Sequence, residues 1–230
     1  MDYCKGSCCD MAINNIMNIQ FAKKLIVYLL GLFILATGVV FSINANLGIS
    51  PVNATPYVLS LMLDISVGNG VILFLVSLIL LQWIILRKEF KLITLTQIIV
   101  SFIFGYFVDF SRFLLGNFAF FPHLYIGQLL TLAVSIILIA LGLTLYVETK
   151  IIPMPSEGML LALVHKIPKI SIGTMKTIFD ISVVIVAIAF SLIFLSGIYG
   201  IREGTIITAL VIGKMMAIMS KLLKKIKKNP

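Results

Sequence analysis

ATGVVFSINANLGISP at residues 36–51 lies over ALGLTLYVETKIIPMP at residues 140–155, pairing Ala36 with Ala140, Gly38 with Gly142 and Pro51 with Pro155. Two further blocks follow in the same order. DISVGNGVILFLVS (64–77) lies over KISIGTMKTIFDIS (169–182), with Gly68 on Gly173 and Phe74 on Phe179. TQIIVSFIFGYFVD (96–109) lies over GTIITALVIGKMMA (204–217), with Gly105 on Gly213. Apolar stretches match by chance, so no single block decides the fold. Three in order, each with a matched glycine, point to a duplicated chain.

Each half holds three stretches long enough to cross the hydrocarbon of a bilayer, which takes about 20 residues. They are expected near 25–44, 67–86 and 93–111, then 126–147, 172–196 and 204–222. An odd number of spans per repeat turns the second half over relative to the first, the plan of many transporters and channels. The expected fold is therefore an all-α membrane protein of six transmembrane helices, built as two inverted three-helix repeats. Its segments are a cytoplasmic N-terminal tail (1–24), a first repeat (25–115), a second repeat (116–222) and a basic cytoplasmic tail (223–230). With 60% hydrophobic and 12% charged residues, a 230-residue chain has too much apolar surface for a water-soluble core. The first span is too long for the apolar region of a signal peptide, and its counterpart at 126–147 reads as a span.

The net charge of +9 is distributed as a topology signal rather than as a nucleic-acid footprint. Lys23 and Lys24 precede span one, Arg87, Lys88 and Lys91 join spans two and three, and Lys150, Lys166 and Lys169 fall between spans four and five. A lysine-rich run from Lys221 to Lys228 ends the chain, while the alternate loops hold only Arg112 and Arg202. The positive-inside bias places both termini in the cytoplasm, with the protein in a bacterial cytoplasmic membrane. Cys4, Cys8 and Cys9 then face a reducing compartment, where a structural disulfide is not expected. Met11 and Met17 are alternative starts to Met1.

After its first span each half has a stretch too short to cross. SPVNATPYVLSLMLD (50–64) and PMPSEGMLLALVHKI (153–167) both open with proline and small polar residues, a good helix start. Each is one short extra helix, either an elbow lying at the interface or a re-entrant helix whose N-terminus points at a shared polar site.

Ionisable groups within spans are costly and mark candidate sites. Asp180 lies about 12 Å into span five, and Lys214 about 15 Å into span six from the opposite side. They are expected at similar depth on adjacent spans, either as an ion pair joining the two or as a substrate- or proton-coupled site. Lys176 shares the Asp180 face at one helical turn. Glu148, with Tyr146 and Glu157, is placed at the cytoplasmic mouth. Thr174 and Thr205 open spans five and six. These threonines are candidate substrate-binding residues, although such residues, like Gly38, Gly105, Gly142 and Gly213, more often permit close helix packing. Asp109 and Arg112 read as a solvated pair at the outer rim.

No metal-binding, phosphate-binding or nucleophile motif is present, and the only histidines, His123 and His165, fall in opposite loops. The expectation is that the protein is not an enzyme and uses no cofactor. LGISP (47–51), ISIGTMKTIFDI (170–181) and GIREGTIITALVIG (200–213) resemble the signatures of the YczE-like bacterial integral membrane proteins (YczE, YyaS and YitT type). That resemblance covers roughly residues 25–220 and implies a multi-spanning membrane protein of unsettled biochemistry. In the first half Thr96-Gln97 and Gly68-Asn69-Gly70 depart from the family's Gly-Thr pairs.

The expected function is a secondary transporter or facilitator of a small solute at the repeat interface. Its alternative is a non-transporting scaffold or accessory subunit. Expected partners are the bilayer and the solute, without nucleic acid, and small residues on several spans allow a homodimer.

Overall fold

The computed structural model describes residues 8–121 and 123–228, so Cys4 lies outside the described residues. They form eight α-helices and two short 3₁₀ turns: α1 (Cys8–Asn44), α2 (Pro51–Met62), α3 (Val67–Leu86), α4 (Thr96–Leu115), α5 (Tyr125–Thr149), α6 (Pro155–Lys166), α7 (Ile172–Leu195) and α8 (Glu203–Lys228). The 3₁₀ turns, Arg87–Glu89 and Leu92–Leu95, lie between α3 and α4. Six helices are long and apolar enough to cross a membrane, making this a multi-pass membrane protein. α1 begins at Cys8, ahead of its membrane-spanning stretch, and no glycine or proline interrupts the chain between Cys8 and Leu30.

The two halves share their local punctuation. α2 and α6 each begin on a proline, which lacks the N–H that a first helical turn leaves unpaired anyway. Ser66 and Ser171 cap α3 and α7 by accepting from the backbone N–H of Asn69 and Thr174. Asn46 and Lys150, at matched positions just past α1 and α5, both take a positive φ of 54°.

α1 and α5 form the central crossing, and three glycines let their backbones meet. A Cβ on Gly31 would stand 2.8 Å from the Tyr146 nitrogen, one on Gly38 2.8 Å from that of Ile139, and one on Gly142 2.5 Å from that of Leu35. Around this pair α4 packs on α1 and α8 on α5. α2 packs on α3 and on α7, while α6 packs on α7 and on α3. Each short helix thus rests on a span of the other half. Thr55 of α2 donates to the carbonyl of Val183, the middle of the 24-residue α7. α2 therefore lies against the body of a span rather than only its end.

Exchanging the halves maps each of these packed pairs onto another packed pair. The main exception is α3, which packs closely on α4, while α7 and α8 make no comparable contact among the described residues. A smaller α2–α8 contact also has no counterpart of its size.

Candidate functional site

The first part of the site is a polar group at the start of α6. Gln82, late in α3, and Gln97, early in α4, are both buried. The Gln82 amide donates to the Pro155 carbonyl at 3.0 Å and to Gln97 Oε1 at 3.3 Å. Gly158 lets α6 approach, because a Cβ there would lie 2.5 Å from Gln97 Nε2. Beside this knot Ser156 donates to Glu157 Oε2 at 3.0 Å. Tyr28 donates to the Ile152 carbonyl at 3.0 Å and meets Tyr146 edge-to-face, with ring centroids 6.0 Å apart.

Tyr146 is 2% exposed and its hydroxyl has no hydrogen-bond partner among the described residues. It lies near enough to Glu157 to favour the carboxylate, yet outside hydrogen-bond geometry. Glu157 keeps part of its surface accessible while protein crowds around it. Burial raises its pKa above the ordinary carboxylate value, opposed by Tyr146, the backbone N–H, Ser156 and the Lys176 charge. Ser42, the position matched to Tyr146 in the first half, likewise holds a buried hydroxyl without a partner among the described residues. An orphaned hydroxyl in a low-dielectric interior is costly and is common where a ligand or water completes the bond.

The second part is an open slot of about 810 Å³ between α3 and α7, lined also by residues of α2 and α6. Much of its wall is matched residues from the two halves: Leu73 with Ile178, Phe74 with Phe179, Ser77 with Ser182, Leu78 with Val183 and Leu81 with Val186, while Ile167, Ile170, Met175 and Phe190 come from the second half alone. The short helices contribute Thr55 with Met159 and Leu59 with Leu163. The lining is almost entirely apolar. Its serines are satisfied internally, Ser77 donating to the Phe74 carbonyl and Ser182 to that of Phe179, and Thr55 is spent on Val183.

The structure brings some of the expected residues together and separates others. Asp180 pairs with Lys176 at 3.2 Å along one face of α7. It does not pair with Lys214, which is exposed on α8, because α7 and α8 do not pack on one another. Glu148 reaches Ser220 on α8 at 3.3 Å. Thr174 is exposed within the Ser171 cap. Thr205 is buried at the opposite end of the molecule, its hydroxyl 2.7 Å from where a Cβ on Gly48 would stand.

Asp109 is not a rim partner of Arg112. Its carboxylate accepts from the Ser66 hydroxyl and the Gly68 N–H, both at 2.7 Å, and so caps α3. Gly213 permits no close approach either, since nothing lies within 4 Å of a Cβ placed there. Sequence reasoning passed over Gln82 and Gln97. Two glutamines near the facing ends of otherwise apolar spans were the available signal.

A family model described as a family of unknown function, DUF6198, matches residues 22–221. The chain is similar to the uncharacterized protein YyaS of Bacillus subtilis (strain 168), 27% identical over 202 residues that cover 88% of this chain and 94% of that one. No solved structure matches the chain.

Proposed function

The chain belongs to the DUF6198 family, and from that premise we propose a secondary transporter or facilitator built from two inverted repeats, with its site where the halves meet. One observation carries this reading: the slot between α3 and α7 is lined largely by matched residues, and a short helix from each half packs on both of these spans. Binding sites of inverted-repeat transporters lie at such repeat interfaces. The lysine distribution supports an orientation in the cytoplasmic membrane with both termini inside.

In this reading Glu157 is the proton-responsive group. It is a carboxyl held in a crowded but accessible position, beside a tyrosine hydroxyl with no partner of its own. Lys176 and Asp180 set the local field, and Lys214 stands apart from them.

The test is reconstitution of the full chain into proteoliposomes with an internal pH dye and an imposed proton gradient or potential, over a panel of candidate solutes. Saturable, solute-dependent proton movement is expected, lost in Glu157→Gln and retained in Glu157→Asp. A protein that moves nothing under either gradient, and is recovered with one stable partner, is instead an accessory subunit.

A further inference from the structure

We infer that the slot holds the alkyl chain of an acidic amphiphile, with the anionic head at the lysines of the α6–α7 turn. The inference rests on the slot being the working site proposed above, and it names the class of molecule that fits there.

A hydrophilic solute finds nothing to bond to inside the slot. Its walls are aliphatic and aromatic, and the hydroxyls of Ser77, Ser182 and Thr55 already donate to carbonyls of the protein. Stripping water from such a solute without replacing its hydrogen bonds is costly. An alkyl chain loses nothing on entering and gains close contact. The volume, about 810 Å³, is in the range of ligand pockets. Along α7 the lining runs from Met175 to Phe190, about 22 Å at the helical rise. That exceeds the ~15 Å half-thickness of a bilayer's hydrocarbon.

Charge decides which end takes the head. Ile167 and Ile170 line one end of the slot, and Lys169 stands between them in the turn. Lys169 is exposed and takes part in no ion pair among the described residues, whereas Lys166 is engaged by Glu89 and Lys176 by Asp180. The matched turn at the other end, between α2 and α3, carries Asp64 at the position equivalent to Lys169. An anion is therefore attracted at the α6–α7 end and repelled at the other.

A carboxylate or a phosphodiester satisfies this chemistry, so the chain belongs to a free long-chain acid or to an anionic phospholipid. The full-length protein, purified in a neutral detergent, is titrated with radiolabelled palmitate and competed with phosphatidylglycerol and phosphatidylcholine. Saturable binding near one per chain is expected, weakened several-fold by high salt and by Lys169→Glu. A drop of at least tenfold is expected for Ser182→Phe or Ser77→Phe, which fill the slot from opposite walls.

Competition by phosphatidylglycerol at lower concentration than palmitate assigns the site to a membrane lipid; the reverse order assigns it to a free acid. Phosphatidylcholine competing equally well overturns the anionic head. Undiminished binding in a slot-filled variant that elutes as a single folded species overturns the slot. Binding that survives while no solute moves across proteoliposomes leaves this assignment standing and removes only the transport reading.

Discussion

Gly68 and Gly105 in the first half, and Gly173 and Gly213 in the second, occupy matched positions and live in opposite surroundings. A Cβ on Gly68 would stand 2.2 Å from the Gly105 carbonyl oxygen, and one on Gly105 2.4 Å from Ile72. On Gly173 the same atom meets only the Ser171 hydroxyl at 4.0 Å, and on Gly213 nothing. The spans follow suit: 33% of the α4 window is buried against 6% for α8. The same glycine spacing closes one helix pair and leaves the other apart.

The difference traces to the neighbours. In the first half Gly68 and Ile72 of α3 meet Gly105 of α4, Val71 and Leu75 on α3 are buried apolar residues, and Asp109 of α4 fastens the α3 N-terminus through Ser66 and Gly68. In the second half the residues matched to Val71 and Leu75 are Lys176 and Asp180, and Ala217 stands where Asp109 would be. Burying these residues under α8 would remove an ion pair from its polar surroundings, a cost its Coulomb attraction does not reliably offset. Nor would a carboxylate cap compensate. Small residues permit a helix contact, and the side chains beside them decide whether it forms.

The largest test of this comparison is Gly105→Leu set against Gly213→Leu. The first forces side-chain atoms into Ile72 and the α3 backbone and is expected to cost about 3 kcal/mol. The second, pointing into open space, leaves the thermal midpoint in detergent unchanged. Equal losses at the two sites would end the distinction.

Asp109→Ala comes next, at about 2 kcal/mol, because it leaves the Ser66 hydroxyl and the Gly68 N–H without their acceptor. Denaturant titration of the purified variant measures it. The comparison is sharpened by the double variant Lys176→Val with Asp180→Leu, which installs the first half's residues on α7. Spin labels on α7 and α8 are expected to report a shorter separation than in the parent. An unchanged distance shows that these charges do not hold the helices apart.

Glu157→Gln gives a signed pH effect. A carboxyl whose pKa is raised by folding binds more protons folded than unfolded, so its penalty grows as pH rises from the ordinary value near 4.5 through the folded one. The variant should flatten the fall in stability over that window and be the more stable of the two above it. A steeper fall in the variant contradicts the buried-carboxyl account. The smallest effects belong to Tyr146→Phe and Ser42→Ala, each within ~0.5 kcal/mol because no hydrogen bond is lost. A drop of 2 kcal/mol in either would reveal a partner for that hydroxyl.

Much of the fold was legible locally. Six apolar runs and two short helices opening on proline follow from hydropathy, length and backbone chemistry, which act within a few residues. The candidate site was legible only in pieces. Asp180 and Lys176 were readable as neighbours on one helical face, and Glu157 as a polar residue opening a short helix. The Gln82–Gln97 pair left only two glutamines near facing span ends as a signal, and the orphaned Tyr146 hydroxyl and the slot were not readable, since each depends on helices from both halves.

The sequence by itself determined which segments are helical, which can cross a membrane and where the halves correspond. Only the tertiary structure decided which helices touch. It set Asp180 on Lys176 rather than near Lys214, closed α3 on α4, and left α7 apart from α8. The physical reason is range: helix formation is governed by neighbours one turn away, whereas packing weighs shape and desolvated charge between residues a hundred positions apart.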